Sequence, residues 1–221
     1  MNIYLIRHGR QNSRLCNVDV ELSKEGREQA DLLGKRLEKY DIDAVYSSQL
    51  IRAKETADII NSHLNKPRFI DERWQEADFG GMTGLSNEEM KEKYGDYLEN
   101  RAKMIEDMPY PDGGENCRMV FERSFEALKD SIKEPYKNVC VVTHGGVLRA
   151  LITGIIGADY KNWLTIGRQI ENCSISHILY DEKMGTFHIE RLNDFAHFED
   201  KDYLLRKHFG SGFFNMKDIK K

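Results

Sequence analysis

The chain has 221 residues, 32% of them charged and 40% hydrophobic, and a formal net charge of −4. That length suits one globular domain, spanning 1–221 here, with a buried core, and the acidic balance argues against a nucleic-acid partner, which calls for a basic face. The longest apolar runs, near 3–6, 139–142 and 147–156, fall short of the roughly 20 residues of a membrane span, so no membrane partner is expected.

The chain enters a strand at once, without a basic-then-apolar leader, and a cytoplasmic protein is expected. The run Ile3-Tyr4-Leu5-Ile6 predicts a buried β-strand that ends in Arg7-His8-Gly9-Arg10. A glycine there marks a sharp turn or a close backbone approach. After a polar loop over 10–20 comes LSKEGREQADLLGKRLEKY. Ser23 is its expected N-cap, and Ala30, Leu33, Leu37 and Tyr40 recur at helical spacing. DAVYSS predicts a second strand, 53–64 a second helix stopped before Pro67, and RFIDERW a third strand. Residues 85–119 are charged, poor in aliphatics and end in the turn-rich PYPDGGEN, which reads as an insertion or helical cap over the sheet. A helix over 118–133 precedes NVCVVTHGG, a fully buried fourth strand, and an apolar helix over 147–156. ISHILYDE and TFHIERLND form a final hairpin turning at Lys183-Met184-Gly185. In the tail from about 197, Gly210 and Gly212 predict flexibility, and Phe209, Phe213 and Phe214 either pack on the sheet edge or close over the site.

Strands alternating with helices predict an α/β fold: a mainly parallel central sheet with helices on both faces. Ligands then bind outside the carboxyl ends of the strands. Four polar groups fall at that rim: Arg7-His8-Gly9, Ser47-Ser48 with Arg52, Trp74-Gln75-Glu76, and Thr143-His144-Gly145-Gly146. Guanidinium charge beside His8 disfavours its protonation, and a neutral imidazole is a competent nucleophile. Arginines bind phosphate oxygens and stay charged, so phosphorus is a fitting target. The glycines after His144 open a helix whose N-terminus suits a phosphate, although a tight strand-to-helix turn also needs glycine. Arg52 is a cation at the positive end of a helix dipole, and a bound anion or Glu55 would compensate it. Among Glu72, Glu76 and Asp78, spacing alone does not choose a proton donor; Trp74 and Phe79 are placed to shield Glu76. No H-x-x-x-H or H-x-D pair occurs and the arginines repel cations, so neither a catalytic metal nor a cofactor is expected. Cys16, Cys117, Cys140 and Cys173 are scattered and read as free thiols.

LIRHG, ELSKEGREQADLLGKRL, VYSSQLIRAKETADII, ERWQEADFGGMTG, PDGGENCRMVFER and VVTHGGVLRALI together resemble, in order, the histidine phosphatase superfamily, the phosphoglycerate mutase-like proteins. The resemblance covers about 1–156, and NCSISHI extends it. It implies a three-layer sandwich. It implies His8 as a nucleophile that forms a phosphohistidine, and Glu76 as the proton donor. Arg7, Arg52 and His144 would hold the phosphoryl oxygens, with Gly145 contributing backbone. The family commonly has Glu or Gln, then Thr, after RHG and an Asn six residues past the histidine; this chain has Arg10, Gln11 and Arg14 there. Asn12 or Asn17 would replace that asparagine, Asn17 being preferred. Gln11 and Arg14 would shape the substrate site, Arg14 facing a second anionic group. The implied activity is hydrolysis of a small phosphorylated metabolite without a metal, and a homodimer is compatible with it. Family mutases carry a longer, arginine-paired insertion, whereas 85–119 has only Arg101 and Arg118, well apart. A phosphomutase and a non-catalytic phospho-ligand-binding module are the alternatives.

Overall fold

The computed structural model describes residues 1–167 and 169–206, so the aromatic and glycine positions of the tail discussed above lie outside the described residues. Six strands, β1 (Asn2–Arg7), β2 (Ala44–Ser47), β3 (Arg68–Ile70), β4 (Asn138–Thr143), β5 (Ile175–Asp181) and β6 (Thr186–Asp194), form one sheet in the order β3-β2-β4-β1-β5-β6. The first four are parallel, and β5 and β6 close the edge antiparallel. The expected mainly parallel α/β sheet is thus observed, with the predicted hairpin turning at Gly185 in the left-handed region, φ 65°.

The continuous apolar runs of β1 and β4 follow from burial on both faces. Ile3, Leu5, Val139 and Val141 point into one core with helices α4 (Cys117–Ser131) and α5 (Gly145–Ile155). Tyr4, Ile6, Cys140 and Val142 point into the other with α1 (Lys24–Leu37) and α2 (Ile51–Leu64). Each buried Leu, Ile or Phe contributes roughly 1.5–3 kcal/mol. Ser23 caps α1 as expected, its hydroxyl accepting from the Gly26 N–H at 3.1 Å. In α2, Asp19 takes the Ile51 N–H at 2.7 Å.

Between β3 and α4 lies the predicted insertion. Its helix α3 (Asn87–Ala102) opens on a Ser86–Glu89 capping box and is interrupted at Tyr94, whose φ of −126° is not helical. The described part of the tail returns to the body, where Phe198 and Leu204 are fully buried in the α1/α2 core.

This topology fixes where a crevice opens. The chain leaves β1 through α1 on one face and leaves the adjacent β4 through α5 on the other, so the two carboxyl ends part and leave a gap between them. Arg7 and Thr143 are register partners at that point, and His8 and His144 follow them.

Candidate active site

A cleft of about 480 Å³ opens there. Arg7, His8, Asn17, Arg52, Glu76 and Gly145 line it, so residues from five distant segments meet. His144 is fully buried beside it, its ring centroid 5.0 Å from that of His8.

His8 is fixed by main-chain contacts. Its N–H donates to Thr143 O at 2.9 Å, and its carbonyl accepts from Asn172 Nδ2 at 2.7 Å. The loop beyond it lies on the first turn of α1, and a Cβ at Gly26 would come within 2.1 Å of the Arg10 carbonyl oxygen. Of the two expected reasons for glycine here, a sharp turn or a close approach, the close approach applies, and glycine is needed on both sides of it: a Cβ at Gly9 would meet the Gly26 oxygen at 2.6 Å.

The ring's tautomer follows from its partners. Nδ1 lies 2.7 Å from the Gly9 carbonyl, which only accepts, so Nδ1 carries the proton. Nε2 then holds the lone pair, and Arg52 Nε donates to it at 3.3 Å. Burial first, then Arg52 and Arg7, push the His8 pKa well below its ordinary value, which keeps the ring neutral. His144 is held neutral in the same direction, by burial, then Arg52 and His8. Its Nε2 is 2.8 Å from the Ser48 hydroxyl, and its Nδ1 has no partner among the described residues.

Arg52 is 1% exposed. Its Nη1 donates to Val18 O at 3.0 Å and its Nη2 to Asn17 Oδ1 at 2.9 Å. Glu55, the alternative partner, instead binds Arg27 and the Leu22 N–H. Asn17, in the left-handed region at φ 47°, also donates to Ala77 O at 3.2 Å, whereas Asn12 is exposed and bound to Glu21. Arg7 donates from Nη1 to Ile170 O, and its buried Nε has no partner among the described residues. Burial first, then Arg206 and Arg149, lower its pKa well below the ordinary value; a guanidinium stays protonated all the same, and a bound anion would relieve that cost.

Of the three rival carboxylates only Glu76 lines the cleft. Its Oε1 accepts from the N–H groups of Ala77 and Gly146, each at 2.9 Å. Glu76 thus takes the Gly146 amide at the N-terminus of α5, while a Cβ on Gly145 would lie 3.4 Å from Arg149 Nη1 and 3.6 Å from Arg7 Nε. Trp74 is not at the cleft but fully buried in the α4/α5 core; Phe79 lines the cleft, tilted against Tyr110 with ring centroids 4.3 Å apart. From α4, Arg123 donates to the carbonyls of Arg73, Gln75 and Glu76 while paired with Glu115, and so fixes the backbone that carries Glu76.

The sequence reading missed Arg149, Arg206, Asn172 and the insertion's Met90 and Leu98, all of which line the cleft. Only Arg149 left a signal, one helical turn after Gly145. Arg101 also lines it, held between the Tyr110 ring at 3.8 Å and the Trp163 ring at 5.1 Å, while Arg118 sits over Tyr160 away from it. Gln11 and exposed Arg14 lie in the lining too. Arg10 is turned toward the tail, its Nη2 donating to Leu204 O at 2.7 Å. Among the described residues no three His, Cys, Asp or Glu side chains are grouped to hold a metal, and no helix is long and apolar enough to cross a membrane.

The sequence profile of the histidine phosphatase superfamily (branch 1) matches residues 3–194. The chain is 33% identical to phosphoglycerate mutase-like protein 4 of Arabidopsis thaliana over 91% of its own length and 89% of that protein's. It is 32% identical to a metal-independent phosphoserine phosphatase of the same plant, over 92% and 86%. Among solved structures, that of Bacillus stearothermophilus YhfR superposes with a TM-score of 0.79 at 29% identity, covering 90% of this chain and 99% of the other.

Proposed function

The chain belongs to branch 1 of the histidine phosphatase superfamily, and on that premise we propose that it is a metal-independent phosphomonoesterase acting through a phosphohistidine on His8. The observation that carries this reading is a buried neutral imidazole whose unprotonated nitrogen, Nε2, accepts a hydrogen bond from the Arg52 guanidinium. In the proposed reaction Nε2 attacks phosphorus, a P–N bond forms, and the ester P–O bond breaks. The Gly9 carbonyl steadies the imidazolium through its bond to Nδ1–H. Charge spreads over three phosphoryl oxygens, which in this reading Arg7, Arg52 and the Nδ1 of His144 receive, with the Gly145 amide and Asn17 completing the pocket. Glu76 gives a proton to the leaving alkoxide, then takes one from the water that splits the P–N bond. The relative named a metal-independent phosphoserine phosphatase supports hydrolysis without a metal.

Phosphate release from p-nitrophenyl phosphate in excess EDTA tests the proposal. The wild type should turn over and His8→Ala should not. Activity surviving in His8→Ala removes the nucleophile assignment, and activity abolished by EDTA removes metal independence. A phosphomutase is the second reading, favoured by the name of the 33% identical relative. It would use the same residues but return the phosphoryl group to the sugar acid, so phosphoglycerate isomerised faster than phosphate is released would establish it instead.

A further inference from the structure

The cleft holds more positive charge than one phosphoryl group needs. Seven arginines line it against one glutamate. Arg206 is the least expected of them, because it comes from the C-terminal segment. Its Nε is buried and has no partner among the described residues. No carboxylate lies within ion-pair distance of its guanidinium among the described residues; the adjacent Glu171 turns both oxygens to the Arg206 backbone N–H, at 3.1 and 2.9 Å. Its Nη1 makes only a long contact, 3.4 Å, to Asn172 Oδ1, and Asn172 in turn holds the His8 carbonyl. The Arg206 charge thus lies one side chain, Asn172, away from the nucleophile's carbonyl; the Glu171 charge opposes it in part, and it is still among the causes that lower the pKa values of both Arg7 and His8.

Arg10 explains why the segment stays there. Two residues after His8, its Nη2 donates to Leu204 O at 2.7 Å and its Nη1 to Tyr203 O at 3.3 Å. Buried Gln29 joins the same knot, accepting the Arg10 N–H at 2.9 Å and donating to Leu204 O at 2.8 Å. These donors satisfy carbonyls at the end of the short helix Asp202–Leu204, just before Arg206.

We propose that Arg206 recognises a second anionic group on the substrate, a carboxylate on the carbon skeleton of the phosphomonoester, and that Arg10 is the positioning residue that holds Arg206 in the cleft. The proposal rests on the phosphomonoesterase reading above. It assigns specificity to a residue outside the catalytic motifs and gives Arg10 a role distinct from contact with substrate.

The test compares 3-phosphoglycerate with glycerol 3-phosphate, which lacks the carboxylate. The wild type should prefer the first. Arg206→Gln should lower the ratio of the two kcat/KM values by about 10-fold or more, the loss typical of a charged hydrogen bond, and Arg206→Lys should recover part of it. Arg10→Met should lower the same ratio mainly through KM for 3-phosphoglycerate. Parallel losses on both esters in Arg206→Gln, or a wild type without preference that still hydrolyses p-nitrophenyl phosphate, would overturn this inference alone. A wild type inert toward all three esters would overturn the phosphatase reading, and this inference with it.

Discussion

The contact between Gly146 and Glu76 offers a way to move the proposed acid without removing it. A Cβ at Gly146 would lie 2.4 Å from Glu76 Oε1, where ordinary contact begins near 3.4 Å, so in Gly146→Ala the carboxylate must retreat by about 1 Å. Its other close neighbour there, the Ala77 Cβ at 3.4 Å, needs little adjustment. The yielding group is the end of a side chain, so the fold should survive, and alanine in a helix offsets some strain by roughly 0.5–1 kcal/mol. The displaced carboxylate weakens its 2.9 Å bond from the Gly146 N–H and leaves the line of the departing oxygen. A misplacement of this size costs about 100-fold in rate, or ~2.7 kcal/mol of barrier. The loss should depend on the leaving group. An alkyl phosphate needs a proton on its departing oxygen, whereas p-nitrophenolate leaves well without one. Gly146→Ala should therefore lower kcat/KM about 100-fold for glycerol 3-phosphate and less than about 5-fold for p-nitrophenyl phosphate. Thermal unfolding run alongside checks that the fold persists. Equal losses on the two esters, or full activity on the alkyl ester, would refute the assignment of Glu76 as the acid.

Stability should fall as the pH drops below 6.5, and His197 should account for part of the fall. Burial, with Arg36 beside the ring, pushes its pKa down to about 4 despite the opposing charge of Asp194. Above pH 6.5 both folded and unfolded chains hold it neutral and it contributes no slope. Between 6.5 and about 4 the unfolded chain binds a proton that the folded chain refuses, so stability decreases with falling pH. His8 and His144, lowered well below their ordinary values, act with the same sign. Urea midpoints between pH 6.5 and 5 should show a shallower slope in His197→Gln than in the wild type; identical slopes would contradict the argument. The thiols should be silent in the native state. Burial raises all four, Cys16 and Cys140 to about 12 and Cys117 and Cys173 further in the same direction. A disulfide reagent at pH 8 should find no fast-reacting thiol in the folded protein and four after unfolding; one rapid equivalent from the native chain would be the contrary result.

The parts of the site that were legible are those with a local cause. A buried strand must be apolar, its exit must turn, and a histidine at the turn is visible against that background. This applied to His8 and His144, and the β1/β4 pairing then brought them together. Arg52 was legible as an anomaly, a cation at a helix start. Asn17 was chosen over Asn12 only by resemblance, and the reason for it is tertiary: a left-handed residue that reaches Arg52 and Ala77 at once. Glu76 could not be separated from Glu72 and Asp78 by pattern because its distinguishing partner, the Gly146 amide, is 70 residues away. Arg10 was misleading for a similar reason. Read beside His8 it looks like another cation for an anion, but its guanidinium donates to the carbonyls of Tyr203, Leu204 and Leu205.

The division has a physical basis in how the two halves of the cleft are built. The half proposed to react sits on strand ends that the sheet holds, and its residues must satisfy strand, turn and helix-start chemistry as well as the proposed reaction. Those constraints leave a pattern in short stretches of sequence. The half proposed to recognise the substrate is assembled from α3, the segment before β5 and the returning tail, where Arg101, Asn172 and Arg206 obey no local rule. An arginine there reads as a solvated surface cation until the fold buries it. If Arg206 and Arg10 select the substrate as proposed, the identity of that substrate is written in the half of the molecule without motifs, apart from the residues proposed to face the phosphorus.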